Sequence, residues 1–181
     1  SQVTQLIARR LRELNVYCEI KAFQKININF FKSFSPTGII LSGGPSSVVS
    51  NIFPKLSFNI FKMKMPILAI CYGQQLMSSM MGGKVVSGKN TSEFGKAFVT
   101  KKNFSPIIKG FFINNKEQVW MSHGDIVSEL PKGFKVVASS DSSPNAIISD
   151  DLKCFYGIQF HPEVYHTING KIIFQNFISI S

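Results

Sequence analysis

Three short segments carry the residue types of acyl-transfer chemistry. Cys71 closes the apolar run Ile67-Leu-Ala-Ile-Cys71 and is followed by Tyr72-Gly73 and a helix-like stretch from Gln74 to Met81. A strand, a tight turn and a helix in that order make a nucleophile elbow. The turn exposes the thiol, Gly73 lets neighbouring backbone approach, and the helix N-terminus stabilises a thiolate or a developing oxyanion. Taken alone, a cysteine in an apolar run reads as buried packing. The second segment is His161-Pro162-Glu163, which follows the strand-like run Phe155 to Phe160. Pro162 disfavours helix at His161. In an extended segment residues two apart face the same way, so Glu163 is placed to orient the imidazole. The chain has three histidines, His123, His161 and His166. A base for Cys71 is one of these, and His161 has a carboxylate at the right offset. The third segment, Ser42-Gly-Gly-Pro45, ends another apolar run. A glycine pair there either presents backbone N–H groups to an anion or makes a plain tight turn. It matches neither a Walker loop nor a dinucleotide fingerprint. In chain order, each at a strand end, the three describe one site at the carboxyl edge of a sheet.

The elements that must position these groups follow from hydrophobic pattern. Thr4 to Leu14 reads as a helix, with Leu6, Ile7, Leu11 and Leu14 near one face and Arg9, Arg10 and Arg12 over the rest. Val16–Ile20, Gly38–Gly44 and Pro66–Cys71 read as strands, the last two without alternation, as suits strands covered on both faces. In the second half, 97–100, 118–121, 134–138, 146–148 and 155–160 are strand candidates separated by turn signals, and Lys171 to Ile178 is the last helix. The Lys/Asn/Phe-rich stretch Lys25–Lys32 reads as loop and short amphipathic structure. The fold class is α/β: an open, mostly parallel sheet flanked by helices, with a strand-rich second half. Such a domain opens with a strand, whereas this chain opens with a helix. The expectation is that an N-terminal strand precedes Ser1.

Composition bounds the function. The 181 residues fit one domain; 44% are hydrophobic and 17% charged, which excludes a disordered chain. No stretch approaches the length of a membrane helix and no signal peptide is visible. The net charge is +10, but the basic residues are scattered and form no run of five, so a basic surface is favoured over a nucleic-acid binder. Cys18, Cys71 and Cys154 are odd in number and widely spaced, with no CxxC or zinc spacing, which suits a reduced, cytoplasmic protein. Cys18, Cys154, Met77, Met80 and Met81 read as core, and His166 as a surface residue. Asn90-Thr-Ser92 and Asn103-Phe-Ser105 match glycosylation acceptors by chance.

The segments Gly38-Ile-Ile-Leu-Ser-Gly-Gly-Pro45, Ile70-Cys-Tyr-Gly-Gln-Gln75, Trp120-Met-Ser-His-Gly-Asp125 and Tyr156-Gly-Ile-Gln-Phe-His-Pro-Glu-Val164 resemble the class I (triad) glutamine amidotransferase domain, with its flavodoxin-like fold. Trp120–Asp125, Glu93-Phe-Gly95 and the opening Ser1–Arg10 are similar to the GMP synthase branch. The resemblance runs from Ser1 to about Phe177. It implies a catalytic Cys71, His161 and Glu163, an oxyanion hole from the backbone N–H groups of Gly44 and Tyr72, and glutamine held by Gly43, Gln75, Ser122, Gly124 and Asp125. It implies ammonia made through a γ-glutamyl thioester and passed to an ATP pyrophosphatase domain or subunit, which uses ATP and Mg to convert XMP to GMP. No cofactor, metal, nucleic acid or membrane is implied for this domain itself. The first glycine of the family's Gly-x-Cys-x-Gly pattern is Ala69 here, and no Ser-Gly-Gly-x-Asp-Ser segment for ATP occurs in the sequence. The isolated domain is expected to show little glutaminase activity. An amidotransferase serving another acceptor, or a silent regulatory relative, would share the fold; a silent relative usually loses a triad member, and none is lost here.

Overall fold

A computed structural model describes residues 1–50, 58–88, 90 and 92–181. Thr91, and with it part of the Asn90-Thr-Ser92 acceptor pattern, lies outside the described residues. Helix α1 (Gln2–Glu13) begins at Ser1, whose hydroxyl accepts from the Thr4 N–H at 3.3 Å, and ends with Arg10 and Arg12 in its last turn. Both choices suit the helix ends, an N-cap oxygen at the start and cations near the C-terminal carbonyls. The chain continues through α2 (Ile28–Phe34), β1 (Ile39–Leu41), β2 (Ile67–Ile70), α3 (Tyr72–Met80), β3 (Lys84–Ser87), β4 (Glu93–Lys101), β5 (Lys116–His123), β6 (Asp125–Glu129), β7 (Lys135–Ser139), β8 (Ile147–Asp150), β9 (Phe155–Ile158) and α4 (Gly170–Ile180).

Seven strands form one sheet in the order β1-β2-β9-β8-β7-β4-β5, and β3 pairs with β6 separately. The α/β class holds, but parallel pairing is confined to β1–β2 and β2–β9; the β9–β8, β8–β7, β7–β4 and β4–β5 pairings are antiparallel. β1 and β2 follow one another in the chain, β2 and β9 are brought together across all the strands between them, and β7–β8 and β8–β9 are joined by short connections of the kind that antiparallel neighbours allow. β2 is wholly buried at the centre of the parallel part. Its side chains alternate between two cores, as a period of two requires. Leu68 and Ile70 enter a cluster with Ile7, Leu11, Ile173, Phe174 and Phe177 of α1 and α4. Ile67 and Ala69 enter the opposite one with Phe31, Phe61 and Met77. Each fully buried Ile or Leu contributes about 2 kcal/mol of transfer free energy, so β2 is pinned from both sides.

Three expectations are corrected. Val16–Ile20 forms no strand; it is parted from the free edge of β1 by a cleft of about 520 Å³ that Val16, Ile20 and Ile40 all line, so no ladder closes. Lys25–Lys32 is, as expected, loop and short helix: it contains the start of α2, which is capped by the Asn27 side chain accepting from the Phe30 N–H at 3.0 Å. Cys18 and Cys154 are only half-buried, and Cys154 sits in a turn at φ 57°. Met77 is fully buried, but Met80 is exposed. His166 is exposed, its ring against Trp120. Among the described residues no helix is long and apolar enough to cross a membrane.

Gly73 is the contact on which the α3–β1 packing turns. A Cβ there would lie within bonding-clash distance of the Leu41 backbone carbonyl, whereas one on Gly44 would meet nothing within 4 Å. Gly73→Ala is expected to destabilise the domain by about 2–3 kcal/mol, and Gly44→Ala by no more than about 0.5 kcal/mol, in urea denaturation. Equal effects would contradict the close approach.

Candidate active site

The β2 ladder runs one residue past the strand: the Cys71 N–H donates to Ile158 O at 2.7 Å, while the Cys71 carbonyl accepts the Gln75 N–H at 3.3 Å as a first bond of α3. Held at both ends, Cys71 takes φ 53°, ψ −109°. A residue with a Cβ rarely adopts such a backbone, and it is over-determined here by the strand before and the helix after. Ala69 in place of glycine is accommodated: it is fully buried, opposite Leu41 and Gly157 in the ladder. The elbow read from the sequence therefore forms, with the thiol at the N-terminus of α3.

His161 and Glu163 come from the loop after β9. Their side chains meet as expected, His161 Nδ1 lying 2.6 Å from Glu163 Oε1. The backbone there is a turn rather than an extended strand, and Pro162 shapes it. Several contacts fix this loop. The His161 N–H donates to Trp120 O at 3.0 Å, and the Thr167 hydroxyl donates to His161 O at 2.6 Å while accepting from the Trp120 N–H at 3.0 Å. Arg10 of α1 donates Nε to Glu163 O at 2.9 Å. Gly170, first residue of α4, lies so close to the Pro162 backbone that a Cβ would collide with it.

The Cys71 sulfur and the Glu163 carboxylate both act on the His161 ring. Gly43 packs against Cys71 and His161: a Cβ there would stand 3.2 Å from His161 Cε1 and 3.4 Å from Cys71 Cβ. Burial pushes the His161 ring toward the neutral form, but the Cys71 sulfur and the Glu163 carboxylate outweigh it and raise the ring from 6.5 to about 10. Glu163 is fully buried.

Beside the thiol is a cavity of about 410 Å³, a size suited to a small molecule. Gly44, Tyr72, Gln75, Ser122, Gly124 and Asp125 line it together with Cys71 and His161. Gly43 alone of the expected substrate residues stands behind the thiol–imidazole pair rather than on the cavity wall. Burial pushes the Tyr72 hydroxyl up to about 12, so that side chain stays neutral. Gln75 donates Nε2 to Asp125 O at 2.9 Å, and the Asp125 carboxylate accepts from Ser47 Oγ. The thiol points at Ser122 O, 3.5 Å away.

Several residues at the site escaped the sequence reading. Gln159 donates Nε2 to Cys71 Sγ at 3.7 Å and is within 3.4 Å of the Gln75 amide. Its position two before His161, on one face of an extended run, was a usable signal. Ser47 and Arg10 carried none, because their partners lie far away in the chain.

A strained elbow cysteine, an imidazole hydrogen-bonded to a buried carboxylate and a small cavity lie together at the carboxyl edge of the parallel strands of an α/β domain. The profile of the family "Glutamine amidotransferase class-I" matches residues 1–180, and the chain belongs to that family. It is 50% identical over 182 residues to "GMP synthase [glutamine-hydrolyzing]" of Dinoroseobacter shibae and 52% identical to that of a Ruegeria species, covering 100% of this chain and 35% of each relative. The chain thus spans about a third of the length of the curated relatives it matches. Among solved structures, a putative GMP synthase subunit from Thermoplasma acidophilum superposes with TM-score 0.80 at 30% identity, covering 98% of this chain and 87% of that one. A glutamine amidotransferase of Thermotoga maritima shares the fold with TM-score 0.67 at 22% identity, covering 88% and 70%.

The raised His161 ring has a consequence for stability. Its folded value lies above the ordinary 6.5, so the added stability is complete below about pH 6.5 and is lost as pH rises through about 10. The stability difference between wild type and His161→Asn, from urea denaturation at about pH 6, 8 and 10.5, is expected to shrink with rising pH. A difference that stays constant or grows would contradict the assignment.

Proposed function

We propose that this domain hydrolyses glutamine to glutamate and ammonia, with Cys71 as nucleophile, His161 as general base and acid, and Glu163 holding His161. The observation that supports the reading is that Cys71 and His161 line one cavity, with the His161 ring hydrogen-bonded to the buried Glu163 at 2.6 Å. The thiol proton passes to His161, whose affinity for it is raised by the buried carboxylate, and Cys71 Sγ then attacks the side-chain amide carbon. The backbone N–H groups of Gly44 and Tyr72 stabilise the oxyanion that forms. When the carbon–nitrogen bond breaks, His161 returns the proton to the departing ammonia and a γ-glutamyl thioester remains. A water, deprotonated by His161, attacks the thioester carbon; glutamate leaves and the thiol regains its proton. Glutamine is held by Gln75, Ser122, Gly124 and Asp125, with Gly43 packing the thiol–imidazole pair in place.

The full-chain identity to GMP synthases supports a finer reading: the ammonia serves conversion of XMP to GMP. On this reading ATP and Mg are used by an ATP pyrophosphatase portion that is the partner of this domain, and no residue of this chain holds them. The setting is cytoplasmic.

Ammonia release from glutamine tests the reading, measured for this chain together with the synthetase portion, ATP and XMP. Cys71→Ala is expected to lose at least about a thousandfold in kcat, and Glu163→Gln about a hundredfold or more, each with an unchanged melting temperature. Wild-type chain that releases no ammonia with its partner present would overturn the proposal and favour a silent module.

A further inference from the structure

The end of β5 that brings Ser122 to the cavity carries a second histidine, which the chemistry above does not use. Val119, Met121 and His123 alternate inward along β5, and the first two are fully buried. The His123 side chain is only 1% exposed, so it fills a position the pattern would give to an apolar residue. Directly across the ladder stands Glu93, whose Oε2 is 3.1 Å from His123 Nε2. Glu93 also accepts from Ser140 Oγ at 2.8 Å and 3.0 Å, and Ser140 Oγ accepts the Ser143 N–H at 3.0 Å.

Burial pushes the Glu93 carboxyl up, but its hydrogen bonds with His123 and Ser140 outweigh that and hold it below its ordinary value. It is therefore an ionised acceptor, and His123 Nε2 must carry a proton to bond it. Nδ1 is then left buried with no partner among the described residues. A buried pair of this kind gains little stability over an apolar one, and an orphaned ring nitrogen costs more. Positioning is what the pair supplies.

The segment it positions is the wall of the cavity. The neighbouring backbone carbonyls are tied to the α3 end and to the residue after β3: Ser122 O faces the Cys71 thiol at 3.5 Å, Gly124 O accepts the Gly88 N–H at 2.6 Å, and Asp125 O accepts from Gln75 at 2.9 Å. His123 itself lines the cavity between them. We infer that His123, clamped by Glu93, is a positioning residue that fixes Ser122 and Gly124 against the glutamine. This inference rests on the glutaminase reading.

Two probes of Cys71, applied to the chain together with the synthetase portion, ATP and XMP, separate the possibilities: a diazoketone analogue of glutamine, which must occupy the substrate cavity, and iodoacetamide, which needs only the thiol. For His123→Ala, diazoketone labelling is expected to slow at least about tenfold while iodoacetamide labelling stays within about twofold. His123→Gln, whose amide nitrogen can still donate to Glu93, should recover most of the loss. Should His123→Ala fail to fold, Glu93→Gln serves instead, with an expected loss of about threefold to tenfold confined to the diazoketone. Diazoketone labelling that is unchanged, an equal slowing of both probes, or no recovery in His123→Gln would overturn the inference alone. Wild-type chain with no saturable diazoketone labelling would overturn the glutaminase reading and this inference with it.

Discussion

Cys71 holds a backbone conformation that costs a residue with a side chain about 1–3 kcal/mol, at φ 53°, ψ −109°. It persists because neighbouring structure leaves it no alternative. The Ile158 carbonyl grips its N–H, β2 is buried between two cores, and α3 can start nowhere else while Gly73 lies against the Leu41 carbonyl. The central strands and the helix after them thus form one device that presents a thiol at a helix N-terminus.

The partners of that thiol come from a loop with no regular hydrogen-bond ladder of its own, so they need separate fixing. Trp120 and Thr167 sew the His161 backbone to β5, Arg10 reaches across from α1 to the Glu163 carbonyl, and Gly170 lets α4 abut Pro162. Helices at both ends of the chain therefore converge on one dipeptide. This makes the imidazole a preorganised group, whose ring is oriented before substrate arrives. The antiparallel strands then add the cavity wall, with the Glu93–His123 pair behind it.

Legibility in the sequence followed the range of the interactions. The strand–turn–helix around Cys71 and the His161–Glu163 pair were readable because neighbours in sequence make them. β2 and β9 were readable because strands covered on both faces are continuously apolar. β3 and β6 were missed: each is short and partly polar, and is a strand only because it finds the other across 40 residues of chain. Val16–Ile20 failed for the converse reason, strand-like residues with no ladder partner. The mostly parallel expectation held only for the β1–β2 and β2–β9 pairs. Gln159 was within reach of an alternation argument, whereas Ser47, Arg10 and the Glu93–His123 pair depend on contacts that no local pattern encodes.

The central claim is that Cys71, among three cysteines, is the residue acylated by glutamine. Acid-quenched chain, with its partner portion and glutamine turning over, can be digested and mapped by mass spectrometry. The account predicts a base-labile glutamyl adduct on the peptide containing Cys71 and none on those containing Cys18 or Cys154. Turnover with no adduct at Cys71, or an adduct at either other cysteine, would contradict it.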